Sequence, residues 1–132
     1  MTNDLQRGIV ATLHITSKDT ISLSDVEKTI RILRSYFSQV ILAVSEVTKP
    51  EIKRYLWQLP PQIYLFELPA VGAGPARRQA VARAGKTFPQ LASFQLCDFD
   101  RLITWCEEYP DELSALSCQP FPTNTFCILG RT

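Results

Sequence analysis

No apolar run in this chain approaches the ~20 residues that a membrane-spanning helix needs. The N-terminus, Met1-Thr-Asn-Asp-Leu-Gln-Arg, has no apolar signal core, so export is not expected and a cytoplasmic location is. Charge of one sign is missing too. Fourteen Lys and Arg stand against thirteen Asp and Glu, and the net charge of +1 gives no global field toward nucleic acid or an anionic membrane. His14 is the one histidine, and the four cysteines at 97, 106, 118 and 127 form no CxxC pair. A structural zinc site is therefore not expected, and a disulfide framework is unnecessary at this size. The cysteines read as reduced, mostly buried thiols. Internal repeats, low-complexity tracts and linkers are also lacking. What is left is 132 residues, 45% hydrophobic and 20% charged, enough for one domain with a core.

Strand and helix signals alternate along the chain. Residues 9–15 are β-rich and almost continuously apolar, as in an interior parallel strand. Ser24 and Glu27 have capping-box spacing, and Val26, Ile30, Leu33 and Phe37 recur at helical spacing behind them. Residues 40–44 read as a second buried strand. Thr48 and Glu51 repeat the cap spacing before a helix over 50–58, with Ile52, Tyr55, Leu56 and Leu59 as its stripe. Residues 63–68 form strand three and 93–97 strand four. Between them the pattern predicts a helix over 75–84, with Gly85 as its stop. Leu102, Cys106 and Tyr109 mark a fourth helix, and 116–118 and 126–129 are further strand candidates. The alternation predicts an α/β fold: a mostly parallel, Rossmann-like sheet with helices on both faces. Ligands of such sheets bind beyond the carboxyl ends of the strands. Thr16, Ser45 with Glu46, the glycine loop and the aspartates after strand four all fall there.

Gly72 and Gly74 tolerate positive φ and close approach of a ligand, and Pro75 suits a first helical position. The free amides and dipole of that helix start favour an anion. Ala76, Ala80, Val81 and Ala84 make the apolar stripe of the helix. Arg77 falls inside the stripe, at the wrong end of the dipole for a cation, while Arg78 points away. Breaking two local rules marks Arg77 as functional. Its guanidinium suits bidentate contact with a phosphate or with a nearby carboxylate. A dinucleotide fingerprint would need a third glycine where Arg77 stands, and a P-loop would need a GK[ST] that the chain lacks.

Asp98 and Asp100 follow an apolar strand, spaced so that both carboxylates can face one hard cation shared with substrate phosphates. The alternative is a polar turn with Asp100 capping the next helix, or with Arg101 pairing one of the acids. His14 reads as a core or rim histidine that reaches a base only if it lies at the strand's end. Trp57 and Trp105 read as packing residues.

Taken in order, Gly72-Ala-Gly-Pro-Ala-Arg-Arg-Gln-Ala and Cys97-Asp-Phe-Asp-Arg resemble the nucleotide-diphospho-sugar transferases of the GT-A glycosyltransferase fold, above all the family-2 branch. There a Gly-rich segment leads to a helix beginning Ala-Arg-Asn, and a later strand ends in Asp-x-Asp. The resemblance spans roughly residues 9–105. It implies a glycosyltransferase that holds a nucleotide-diphospho-sugar donor through Mg²⁺ or Mn²⁺ on Asp98 and Asp100. Asp98 would also meet the donor's diphosphate, Arg77 would lie near the nucleotide, and Thr16, Ser45 and Glu46 would lie by base and ribose. The alternative is a non-catalytic relative that keeps the fold as a nucleotide-binding or interaction domain. The chain departs from the family in three ways. Ser45 stands where an acid is usual, with Glu46 one place later; Arg78 replaces Asn; and family members run past this length. The expectation is a single nucleotide-sugar-binding domain over 1–132, cut short or naturally minimal, with the acceptor half and its catalytic carboxylate beyond Thr132. An unfinished sheet edge makes a homodimer the expected assembly.

Overall fold

The computed structural model describes residues 7–91, 93–112 and 126–128. Strands β1 (Arg7–Leu13), β2 (Gln39–Ser45), β3 (Tyr64–Leu68) and β4 (Ser93–Asp98) alternate with helices α1 (Leu23–Tyr36), α2 (Pro50–Leu56) and α3 (Ala73–Thr87). Helix α4 (Phe99–Glu108) and a short β5 (Phe126–Ile128) follow. The sheet is all parallel in the order β3-β2-β1-β4-β5. This is the expected α/β architecture. The strand expected at 116–118 lies outside the described residues.

Side-chain alternation divides the core between the two faces. Ile9, Ala11, Leu13, Val40, Leu42, Val44, Leu65 and Cys97 pack with buried residues of α1, α2 and α4. Val10, Ile41, Ala43, Phe66, Leu68, Phe94 and Leu96 pack with Ala80 and Ala84 of α3. Strands covered on both faces have no polar alternation to show, which is why they read as continuous apolar runs.

Several element ends depart from the sequence reading: β1 runs Arg7–Leu13 rather than 9–15, α2 stops at Leu56 rather than at 58, and the caps of α1, α2 and α3 differ. Helix α1 starts earlier, with Ser22 as N-cap: its Oγ accepts from the Asp25 amide at 3.2 Å, and Asp25 Oδ2 accepts from the Ser22 amide at 3.0 Å. The capping box is thus Ser22/Asp25 rather than Ser24/Glu27, a shorter acid doing the same job. The Ser22 amide holds the Asp25 carboxyl below its ordinary range. Helix α2 is capped by Lys49 rather than Thr48, with no side-chain bond. Pro50 restricts the residue before it to extended backbone, so the chain turns into the helix at Lys49. Lys49 serves the neighbouring loop instead, its amide donating to Ile15 O at 2.8 Å and its Nζ to Asp19 O and Ile21 O at 3.0 Å each. Helix α3 starts two residues early, so Pro75 is its third residue and still within the tolerant first turn. It also runs through Gly85 to Thr87, because the Phe88 amide closes on Ala84 O at 2.9 Å.

The strand order fixes where a ligand fits. The chain steps outward from β1 to β2 to β3, then returns through α3 to place β4 on the other side of β1. Strand order reverses between β1 and β4, and in open parallel sheets the crevice at such a reversal takes the ligand.

Candidate functional site

A cleft of ≈ 540 Å³ lies at this reversal. Thr12 to Ile15 of the β1 end, Asp19, Ser45, the segment 68–73, Ala76, Asp98 and Asp100 line it. The glycine loop and the Asp-Phe-Asp turn therefore open onto one space, although 24 residues separate Gly74 from Asp98 in the sequence.

Gly72 caps α3 with φ 101° and ψ 164°, a region that is essentially glycine-only. It bends the chain so that Ala73 and Ala76 of the first turn face the cleft. Gly74 lies within that turn and does not line the cleft. The amides at such a helix start have no intrahelical acceptors.

Arg77 does not itself line the cleft; from α3 it reaches Asp98, which does. Its Nε donates to Oδ1 at 3.0 Å and its Nη2 to Oδ2 at 2.5 Å. Of the two partners open to it, phosphate or carboxylate, Arg77 here holds the carboxylate. The side chains are 29% and 28% exposed, and the hydrogen bonds to Asp98 push the guanidinium's pKa further up. Thr12 Oγ1 donates to Asp98 Oδ1 at 3.0 Å. Asp98 occupies the N-cap position of α4 but makes no side-chain cap bond. Asp100 is exposed in the first turn of α4, its Oδ1 accepting the Arg101 amide at 2.9 Å. Between the two acids, Phe99 is fully buried. Burial, and then the charges of Asp98 and Asp100, push the Cys97 thiol up to about 12, and it packs in the core rather than lining the cleft.

At the other side of the cleft Ser45 is 8% exposed, and its Oγ stands 2.9 Å from His14 Nδ1. His14 is an exposed rim residue at the strand's end. Glu46 is exposed and does not line the cleft; its Oε2 accepts the Ala70 amide at 3.1 Å and so ties the loop after β2 to the glycine loop. Thr16 lies outside the cleft as well, in a neighbouring hollow with Lys49. Its amide and hydroxyl donate to Asp19 Oδ2 at 2.7 and 3.2 Å. Sequence reading missed Thr12 and Asp19. The signal for Thr12 was a lone hydroxyl in an apolar strand; Asp19 gave none, since it sits in a loop of polar residues.

Three carboxylates, those of Asp19, Asp98 and Asp100, line the cleft, and such oxygens suit a hard divalent cation. Among the described residues no group of three acid, His or Cys side chains gathers to cage one. A cation at Asp98 and Asp100 would need further oxygens from a ligand.

Fold and site together define a class: a parallel α/β protein with a cleft at the carboxyl edge of its sheet. Compared with protein families, curated proteins and solved structures, the chain finds no match.

Proposed function

We propose that this chain binds a nucleotide-diphospho-sugar in the cleft and serves as the donor-binding unit of a GT-A-type glycosyltransferase. One observation carries the reading: the start of α3, at Gly72 and Ala73, and the carboxylates of Asp98 and Asp100 face the same ≈ 540 Å³ space. That volume is in the range of small-molecule sites, about 300–1,000 Å³. The diphosphate would lie against the first turn of α3, where dipole and free amides favour negative charge. Asp98 and Asp100 would hold Mg²⁺ or Mn²⁺, which when bound neutralises charge on the departing diphosphate. Ser45 and His14 would meet the base. Arg77 and Thr12 keep Asp98 oriented toward the cleft, and Glu46 keeps the glycine loop against the sheet. The acceptor is not specified by these residues.

The test is a thermal-shift titration with uridine, guanosine, adenosine and cytidine diphosphates, each with Mn²⁺. At 100-fold excess over Kd a ligand stabilises the native state by about 2.7 kcal/mol, a shift of several degrees at this size. One nucleotide is expected to give that shift, and Asp100→Ala to reduce it. No shift with any of the four ends the donor-site reading. Release of the sugar from the matching nucleotide-sugar then separates an enzyme from a relative that only binds.

A further inference from the structure

The geometry points to Arg77 as an internal competitor of the divalent cation for Asp98, so that cation and nucleoside diphosphate bind the cleft together and each binds weakly alone. The inference rests on the reading of the cleft given above and adds an order to it.

Two observations carry it. Arg77 grips both oxygens of Asp98, and Thr12 takes a further lone pair of Oδ1. A divalent cation placed on the same carboxylate would meet a guanidinium at hydrogen-bond distance, and two positive groups that close repel each other strongly. The second observation is the small donor set. Asp19, Asp98 and Asp100 line the cleft, but Asp19 already accepts from the Thr16 amide and hydroxyl, and among the described residues no cluster of three acid, His or Cys side chains completes a shell. At the turn from β4 into α4 the protein alone therefore offers a cation Asp100 and only as much of Asp98 as Arg77 yields.

A diphosphate supplies both missing parts. Its oxygens fill the cation's shell, as phosphates commonly do for Mg²⁺. Its charge also gives the guanidinium a second partner of matching shape, because the planar fork of Arg fits phosphate as well as carboxylate. Arg77 does not line the cleft itself but stands next to Ala76, which does, in the first turns of α3. The pair is partly exposed, so the exchange does not require a charge to cross a dry interior. Coupling of this kind is reciprocal: the nucleotide tightens the cation by the factor that the cation tightens the nucleotide.

The experiment is calorimetric titration of Mn²⁺ into wild type, Arg77→Gln and Arg77→Lys, without nucleotide and then with saturating uridine, guanosine, adenosine or cytidine diphosphate. Mn²⁺ also meets nucleotides in free solution, so the nucleotide-free arm decides. Arg77→Gln is expected to bind Mn²⁺ alone about 5-fold or more tighter than wild type, and to lose most of the coupling seen with nucleotide. Arg77→Lys, a point charge without the fork, is expected between the two, and it carries the test if circular dichroism shows Arg77→Gln unfolded. Equal Mn²⁺ affinity in all three proteins, with a nucleotide still binding, overturns the inference and leaves the cleft reading intact. Failure of every nucleotide to bind with Mn²⁺ overturns both.

Discussion

Thr12 owes its role to register. β1 pairs with β4 so that Thr12 stands opposite Asp98, and a strand that otherwise reads Gly-Ile-Val-Ala-Leu places a hydroxyl beside the carboxylate. Replacing Thr12 with Val keeps the shape and removes that donor. A hydrogen bond to a charged group contributes about 1.5–3 kcal/mol, and here Arg77 still holds Asp98, so a loss near the low end, about 1–1.5 kcal/mol, is expected. The urea midpoint should fall at unchanged slope; an unchanged midpoint would mean that Arg77 alone orients the acid. Arg77 itself was legible in the sequence, because a cation inside an apolar stripe at a helix start conflicts with two local rules at once. Its choice of carboxylate over phosphate was not, since that depends on which strand lies under the helix. Ser45 and Glu46 show the same limit. Strand β2 ends at Ser45, which closes the cleft wall, while Glu46 opens the turn beyond it and accepts the Ala70 amide.

Elements were legible by their middles and misread at their ends. The apolar stripes that define α1 and α3 run through helices of 14 and 15 residues, whereas a cap is a choice between neighbours. Ser22 and Ser24 each have an acid three places on, and only the path of the preceding loop selects the first. Glycine is the sharpest case, since the same residue type does opposite things at the two ends of α3. Gly72 holds a backbone conformation that other residues avoid, and an Ala there is expected to cost about 1–3 kcal/mol even though the nearest atom to its new methyl, Pro75 Cδ, is 3.9 Å away. Gly85 lies inside the helix, and a Cβ added there meets nothing within 4 Å. Gly85→Ala is therefore expected to stabilise by about 0.5–1 kcal/mol. Chemical denaturation of both variants checks the pair. Destabilisation by Gly85→Ala would mean that the glycine ends the helix in solution, as sequence alone had implied. Stabilisation by Gly72→Ala would show that the bend at Gly72 carries no strain.

At the scale of the whole molecule the strand order does what no single motif can. The alternation of elements announced a parallel sheet, but not which strands are neighbours, and the site exists only because β4 returns to the flank of β1. That return sets the turn from β4 into α4 beside three other segments of the cleft: the end of β1 with its loop, the end of β2, and the loop from β3 into α3. The arrangement makes a prediction about where a ligand is felt. Amide hydrogen exchange read by mass spectrometry, with a bound nucleoside diphosphate and Mn²⁺, should slow in residues 12–19, 68–76 and 97–101 together. Exchange should stay unchanged in the groove between α1 and α2 that is lined by Glu27, Arg31, Arg34 and Tyr55, which lies apart from the cleft. Local opening governs exchange, so a ligand that bridges loops raises protection in each loop it joins. Slowing at 68–76 alone would describe an anion resting on a helix end, with no part for the acids. Slowing at 97–101 alone would describe a cation without a nucleotide. Joint protection of all three segments requires a ligand long enough to span from β1 to α3, and a base, ribose and diphosphate in line have that reach.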